Sequence, residues 1–263
     1  MNILQFLCIN CYAFFEDWRK NNLKKHLFCW RFLAFLLFLS LLMAILFGVA
    51  EKVNSKSDLN VVNKEDTPLP KTVILDAGHG GEDGGASSAD GHLEKDLNLS
   101  LALAMRDILL ANGYDVILTR DSDTLLYDRN VNFQGQKKKL DMAARLKIAN
   151  ETSNAVFVSI HMNTYPLPSC QGVQVWYSEN NENSFALAKA IQSTTQELLQ
   201  DKNDRTVKGS GSSIYLLRKL ECPAVLVECG FLSSPEEAAL LANESYRQQL
   251  ALVLCMGILR GIA

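Results

Sequence analysis

The sequence has little of several features that mark common protein classes. Its formal net charge is −3, so it lacks the excess of basic residues that indicates binding to nucleic acid. Its seven cysteines are too few and too irregularly spaced for a disulfide scaffold. The Cys8–Cys11 pair has no second pair with which to form a zinc ribbon, and we treat the cysteines of the globular part as small apolar residues.

One long uncharged stretch, residues 32–50, is dominated by leucine and phenylalanine. Its length suffices to cross the hydrocarbon core of a membrane, for which about 20 residues are needed. Lysines and arginines in the N-terminal segment 1–31 precede it, so we expect that segment to be cytoplasmic and the rest to be exported to the extracytoplasmic face. Gly48–Ala50 has the form of a signal-peptidase site, which leaves cleavage and secretion as an alternative. The apolar core exceeds the roughly 7–15 residues of a signal peptide and favours an uncleaved anchor.

A polar linker over residues 51–70 ends in two prolines and leads to a domain over residues 71–263. Strand-like and helix-like patterns alternate in that domain. We predict strands over 72–76, 114–119, 155–160, 172–178, 213–217 and 224–228, and helices over 94–112, 140–150, 184–199, 235–242 and 246–262. Residues 125–139 are predicted to form a loop. The pattern predicts a single α/β domain with a mostly parallel or mixed sheet flanked by helices.

The stretch Val73–Ala86 passes from an apolar run into a loop with five glycines around His79. The apolar run predicts a buried strand that delivers its last residues to the loop. Five glycines leave little side-chain bulk, so the backbone can pass close to an ion, and a bulky substrate can approach it. A flexible turn with an incidental histidine is the alternative.

Further ligand-type residues follow other predicted strands. His161 comes directly after the strand over 155–160, and Glu228 ends the strand over 224–228. Glu94 opens the first helix after the glycine-rich loop, where a helix N-terminus favours a negative charge. Because ligands of open α/β sheets bind at the carboxyl ends of the strands, we expect these residues to meet His79 at one edge.

Two histidines and one carboxylate with an open fourth position are typical of a hydrolytic zinc site, and a further carboxylate is then needed to transfer protons. Glu228, at the end of a buried strand, suits the second role. The domain contains three histidines, and His92 competes as a ligand because His92 and Glu94 lie on one face of an extended chain. Spacing alone does not decide between the histidines.

Four segments of the domain resemble the motifs of the zinc-dependent N-acetylmuramoyl-L-alanine amidases of the third type, in the order of that family. They are Ile74–Ala86, Leu93–Asn98, Val158–Asn163 and Pro223–Ser234. The resemblance implies one Zn²⁺ bound by His79, Glu94 and His161, with Glu228 as the catalytic carboxylate, and it excludes His92. It further implies hydrolysis of the amide between N-acetylmuramic acid and L-alanine in peptidoglycan. Asn163 is expected to contact the substrate or to position His161.

The chain departs from the family pattern at two positions. Ala77 replaces the proline that is usual before Gly-His, and Cys229 replaces an apolar residue after the glutamate. Neither change removes a ligand, so we expect activity to survive. Cys229 is not expected to bind metal, because a strand residue next to Glu228 points to the opposite face.

Within the family the chain resembles the germination-specific amidases of spore-forming bacteria, since it has one apolar N-terminal segment and no wall-binding repeats. That resemblance implies action in the forespore intermembrane space, where stem peptides are removed from the spore cortex so that muramic-δ-lactam can form. A general cell-wall amidase, a zinc peptidase that cuts within the stem peptide and an inactive wall-binding module are the alternatives. The sequence leaves open whether an activating protein partner is needed.

Overall fold

The fold is built on a buried strand, β1 (Thr72–Ala77), whose aliphatic residues are almost fully shielded from solvent on both faces of a sheet. The computed structural model describes residues 69–130 and 135–263, together with Ser40, Leu41 and Met43. A strand that is apolar on both sides is typical of the centre of a sheet that helices cover on both faces. Residues from Pro68 onward form one compact unit.

Six strands form a mixed sheet in the order β2-β1-β3-β6-β4-β5. The four strands β2, β1, β3 and β6 are parallel, and β4 pairs antiparallel with β6 and parallel with the short strand β5. The bounds of the strands after β1 are β2 (Asp115–Leu118), β3 (Ala155–Asn163), β4 (Gln174–Tyr177), β5 (Lys208–Gly209) and β6 (Ala224–Phe231).

Helices cover both faces of the sheet, as the alternation of the sequence predicts. In the described part of the domain they are α1 (Glu94–Ala111), α2 (Lys137–Glu151), α3 (Asn183–Leu198), α4 (Tyr215–Lys219), α5 (Pro235–Ala242) and α6 (Glu244–Ile262). Residues of α1, α3 and α6 pack in the larger core on one face, and residues of α2 and α4 pack in the smaller core on the other. The single mixed α/β domain is thus confirmed.

The close packing of α3 against α6 depends on two glycines one helical turn apart. A methyl group at Gly257 would lie 2.6 Å from the Cα of Ile191, and one at Gly261 would lie 2.9 Å from the Cα of Leu187. The two backbones therefore approach more closely than any side chain would allow, and this fixes the outer layer of the larger core.

Several sequence-based bounds differ from the structure by one to three residues: for example, α2 begins at Lys137, inside the predicted loop over 125–139, and β4 is shorter than the predicted strand over 172–178. Three differences are larger or bear on the site. The predicted strand over 213–217 is wrong, because Tyr215–Lys219 forms the short helix α4, which buries the adjacent residues Leu216 and Leu217. Strands β3 and β6 each continue three residues beyond their predicted ends, since their pairing persists through His161 and Glu228 to Asn163 and Phe231. The functional residues therefore lie within these strands.

The predicted membrane segment, residues 32–50, lies outside the described residues except for Ser40, Leu41 and Met43, which are helical. The segments 1–31 and 51–68 lie outside them entirely. Within the described ranges, no helix combines the length and the apolar character that spanning a bilayer requires. Membrane anchoring stays a prediction.

Candidate metal centre

His79, Glu94 and His161 converge at the carboxyl end of the parallel strands. His79 lies two residues beyond β1, Glu94 is the first residue of α1, and His161 lies near the end of β3. The Nε2 of His79 is 3.2 Å from one carboxylate oxygen of Glu94, and the Nδ1 of His161 is 3.0 Å from the other. One ligand-type atom from each residue can be chosen so that all three lie within 4.8 Å of one another.

The spacing of these atoms fits a zinc ion. Zinc binds nitrogen and carboxylate oxygen at about 2.0–2.2 Å in tetrahedral geometry, which places neighbouring ligand atoms about 3.3 Å apart. Each histidine nitrogen lies at about that spacing from one oxygen of Glu94, at 3.2 Å for His79 and 3.0 Å for His161, and the two contacts involve different oxygens of the carboxylate. The donor set is therefore that of a hydrolytic zinc site.

The carboxylate of Glu94 is fixed by two backbone amides from different segments. One oxygen accepts the N–H of Ala86 at 2.8 Å, and the other accepts the N–H of Met162 at 3.0 Å. Burial alone would raise the pKa of Glu94, but the rings of His161 and His79 outweigh it and hold that pKa below its ordinary value. Glu94 is thus an ionised anchor between the glycine-rich loop and β3.

Two glycines of the loop make room for the ligands themselves. A methyl group at Gly78 would lie 2.3 Å from the ring of His161, and one at Gly85 would lie 2.5 Å from the carboxylate of Glu94 and 2.8 Å from the ring of His79. The sequence suggested that the glycines admit a bulky substrate. In the structure, Gly78 and Gly85 leave room for the candidate ligand side chains, and the approach of a bulky substrate stays a prediction.

Asp83 places a second carboxylate beside the first histidine. Its Oδ2 is 3.0 Å from the Nδ1 of His79 and 3.4 Å from the Nζ of Lys138. Burial alone would lower the pKa of His79, but Glu94 and Asp83 outweigh it and raise that pKa above its ordinary value. A carboxylate at this distance favours a fixed orientation of the imidazole.

Glu228 occupies the strand position beside His161. The two residues are register partners of β6 and β3, so both side chains leave the sheet on the same face. Burial raises the pKa of Glu228 to about 7. One of its carboxylate oxygens is buried and has no hydrogen-bond partner among the described residues. A carboxyl group in this state is suited to exchange protons near neutral pH.

A cavity of about 350 Å³ joins these residues. His79, His161 and Glu228 line it together with Asp83, and its far wall consists of Met142, Leu226 and the segment 213–217. Tyr215 is partly exposed at this wall. An open cavity with one apolar wall beside convergent polar groups is typical of a substrate site.

The remaining predicted residues lie elsewhere. His92 is exposed on the turn before α1 and does not belong to the cluster. Cys229 is fully buried in the larger core, on the face opposite to Glu228, as predicted. Asn163 ends β3, and its backbone carbonyl accepts the N–H of Leu232. It is absent from the described cavity lining, so its role stays a prediction.

Sequence reasoning missed the groups that support the ligands, namely Asp76, Asp83, Arg120, Asp141 and Arg145. Two signals were present in the sequence. Asp76 interrupts an otherwise apolar buried strand, and Asp141 and Arg145 are four residues apart on the inward face of a helix together with Ala149. A charge on a buried face requires a partner. Here Arg145 pairs with both Asp76 and Asp141.

Residues 73–260 match the family described as N-acetylmuramoyl-L-alanine amidase. A germination-specific N-acetylmuramoyl-L-alanine amidase of Bacillus subtilis (strain 168) is 36% identical over 190 residues, which cover 72% of this chain and 79% of that protein.

Solved structures share the fold. The CwlD amidase from Clostridioides difficile, in complex with the GerS lipoprotein, superposes with a TM-score of 0.69 at 38% identity, covering 73% of this chain and 98% of that one. The N-acetylmuramoyl-L-alanine amidase AmiC2 of Nostoc punctiforme gives a TM-score of 0.58 at 35% identity, covering 72% and 94%.

Proposed function

The chain belongs to the family of N-acetylmuramoyl-L-alanine amidases, and from this membership we propose that it is a zinc-dependent enzyme whose metal is held by His79, Glu94 and His161. As a member of this family it is a cell-wall amidase, which hydrolyses the amide between N-acetylmuramic acid and L-alanine of the stem peptide. The observation that carries the zinc proposal is the convergence of three ligand side chains from separate segments beside the cavity that contains Glu228.

The three ligands would hold the ion through the atoms that already face one another around Glu94. Bound zinc supplies a Lewis acid and lowers the pKa of a water ligand to about 7. The protein itself contributes orientation, because backbone amides hold Glu94 and the strand register holds His161 beside Glu228.

Glu228 moves the protons of the reaction. Hydrolysis adds water across the amide, so a proton must leave the attacking water and a proton must reach the leaving nitrogen of L-alanine. We assign both transfers to the Glu228 carboxylate, which accepts the first proton as a base and donates it to the amine as an acid. The buried apolar strand residues around Glu228 keep it oriented.

For the biological role, the spore cortex is favoured over general wall turnover. The identity to a germination-specific amidase supports this choice. We further propose that the chain works outside the cytoplasmic membrane, in the forespore intermembrane space, through the predicted N-terminal anchor. Because the CwlD amidase was solved with the GerS lipoprotein, a lipoprotein is the class of partner to search for.

Product analysis tests the reaction. Purified peptidoglycan is digested with the protein, with and without added zinc, and the products are identified by mass spectrometry. We expect intact stem peptides with a free L-alanine amine and glycan strands with free lactyl carboxylates. New peptide termini would identify a stem-peptide peptidase, and bound but uncut peptidoglycan would identify a wall-binding module. The cortex role is tested by muramic-δ-lactam analysis of spores that lack the gene.

Two substitutions separate the catalytic carboxylate from the ligands. Glu228→Ala should keep zinc at wild-type stoichiometry but lower kcat by about 10²–10⁴-fold, the contribution of a positioned acid–base group. His79→Ala should instead lose bound zinc, as measured by metal analysis of the dialysed protein. Full activity of the first variant would exclude the assigned mechanism, and stoichiometric zinc in the second would exclude His79 as a ligand.

A further inference from the structure

Three consecutive backbone carbonyls at the end of β1 are held by buried side chains. The carbonyl of Ala77 accepts from Arg120 at 2.9 Å and from Arg145 at 2.8 Å. The carbonyl of Gly78 accepts from Arg120 at 3.0 Å and from Asn98 at 3.1 Å, and that of His79 accepts from Arg145 at 2.8 Å. We refer to Arg120 and Arg145 as the arginine bracket.

Arg120 links the two segments that carry the first two ligands. Its side chain donates to the carbonyl of Gly78, next to His79, and at 2.8 Å to the carbonyl of Lys95, next to Glu94. Only 3% of Arg120 is exposed, and its hydrogen-bond partners in the described chain are backbone carbonyls. Burying a guanidinium that does not bond a carboxylate directly costs free energy. The burial of Arg120 therefore indicates a structural role for its contacts with the backbone.

The guanidinium of Arg145 forms ion pairs with two carboxylates. Asp76 and Asp141 both pair with its guanidinium, and Asp76 in turn accepts hydrogen bonds from the hydroxyls of Thr119 and Ser159. Each member of this group is at most 5% exposed. The planar guanidinium of Arg145 donates to the carbonyls of Ala77 and His79 while it pairs with the two carboxylates. A lysine ammonium could not make all of these contacts at once.

The backbone of His79 is the part of the site that most needs support. Its φ is +63°, in the left-handed region that a residue with a side chain seldom adopts because of steric strain. The bracket fixes the carbonyls on both sides of this residue and so determines where its imidazole points.

We propose that Arg120 and Arg145 are positioning residues for the metal centre, which hold the His79 backbone in its strained conformation so that the ligands are assembled before the ion binds. The proposal rests on the zinc site of the proposed function. Neither arginine touches the three ligand atoms, so both act through the backbone of the loop.

Lysine substitutions test the proposal, since they keep the positive charge but remove the planar guanidinium and its several N–H donors. The full-length wild type, Arg145→Lys and Arg120→Lys are stripped of metal, and zinc affinity is measured by competition with a chromophoric chelator. The temperature is one at which circular dichroism shows each metal-free protein to be folded. Arg260→Lys is the matched control, because Arg260 pairs with Glu197 on the exposed surface. We expect each bracket variant to bind zinc about 10–100-fold more weakly and the control to bind as the wild type does.

Activity at saturating zinc provides a second readout. There Arg120→Lys should recover kcat to within a few-fold, with KM for peptidoglycan fragments unchanged, because Arg120 is absent from the described cavity lining, whereas Arg145 belongs to it. Wild-type zinc affinity in both folded bracket variants would overturn the inference. If Arg145→Lys does not fold, Arg120→Lys decides alone, since Arg120 has no direct contact with Asp76. A wild type that binds no zinc would instead refute the proposed function.

Discussion

At the scale of single residues, the proposed metal centre is shaped as much by missing side chains as by the candidate ligands. Gly85 has a φ of +67° and faces Glu94 and His79, whereas Gly91 has a φ of +84° and has no neighbour within 4 Å of an added methyl group. The two glycines share a left-handed backbone and differ in what surrounds them, so they form a matched pair.

Gly85→Ala and Gly91→Ala should therefore differ in zinc binding. Both substitutions carry the backbone cost of a left-handed alanine, about 1–2 kcal/mol. Only Gly85→Ala also displaces the Glu94 carboxylate and the His79 ring, so we expect it to weaken zinc binding at least 10-fold while Gly91→Ala keeps wild-type affinity. Isothermal titration of the metal-free proteins measures both. Equal zinc affinities of the two variants would contradict this prediction, because they would show that alanine fits at position 85 without displacing Glu94 or His79.

The convergence of the three candidate ligands was predictable because each stands at a strand or helix terminus, and histidine is rare in this chain. His79, Glu94 and His161 follow apolar runs or open a helix, and the rule that ligands gather at the carboxyl ends of parallel strands brings them together. The arginine bracket was not predictable in the same way. A sequence shows that Arg120 and Arg145 are charged, but their burial depends on carbonyls and carboxylates that only the folded chain brings within reach.

At the scale of secondary-structure elements, a buried carboxylate joins α5 to two strands. Glu237, in the first turn of α5, accepts the N–H of Phe231 at 2.7 Å and that of Gly172 at 2.9 Å. Phe231 ends β6, three residues beyond Glu228, and Gly172 precedes β4. Burial raises the pKa of Glu237, so the bonds to these amides are made in a poorly solvated place.

Glu237→Ala should lower the free energy of unfolding by about 2–4 kcal/mol, because it leaves two buried N–H groups without a partner. The neighbouring Glu236 is exposed and bonds only the side chain of Gln171 in the described chain, so Glu236→Ala should change stability by less than about 0.5 kcal/mol. Urea unfolding followed by circular dichroism gives both values. Similar losses in the two variants would mean that the bonds of Glu237 to the backbone contribute nothing measurable.

Most elements were predictable from periodicity, and the exceptions are the short ones. The segment 213–217 contains Ile214 and Tyr215, residue types that favour strands. It nevertheless leads into α4, because Leu216 and Leu217 both pack into the smaller core. A strand points adjacent residues to opposite faces, so it could not bury both on one side. Strand β5 has two residues, one of them lysine, and carries no periodicity.

At the scale of the whole molecule, the group around Asp76 links stability to pH. Burial alone would raise the pKa of Asp76, but the charge of Arg145 and the hydroxyls of Ser159 and Thr119 outweigh it, and that pKa lies below its ordinary value. An acid with a lowered pKa in the folded state stabilises the fold above its unfolded pKa, about 3.9 for aspartate. That stabilisation is lost as the pH falls through the folded-state value.

The difference in unfolding free energy between the wild type and Asp76→Asn should follow this dependence. At pH 7 we expect a loss of about 3–5 kcal/mol, typical of a buried ion pair that loses one partner. The loss should shrink as the pH falls below about 3.9, because the unfolded wild-type chain then takes up a proton at Asp76 that the folded chain takes up only at a lower pH. Asp107→Asn, which removes an exposed carboxylate beside Arg106, is the control. A loss that is constant across this range would show that Asp76 is not ionised in the fold.

The edges of the sheet bear on how the protein avoids aggregation. An exposed edge strand offers unpaired N–H and C=O groups on which another chain can add a strand. Here the outermost strands are β2, with four residues, and β5, with two residues including Lys208. The long apolar strands β1, β3 and β6 all lie inside the sheet. The strand order therefore places the sequences most prone to self-association where only a largely unfolded chain would expose them.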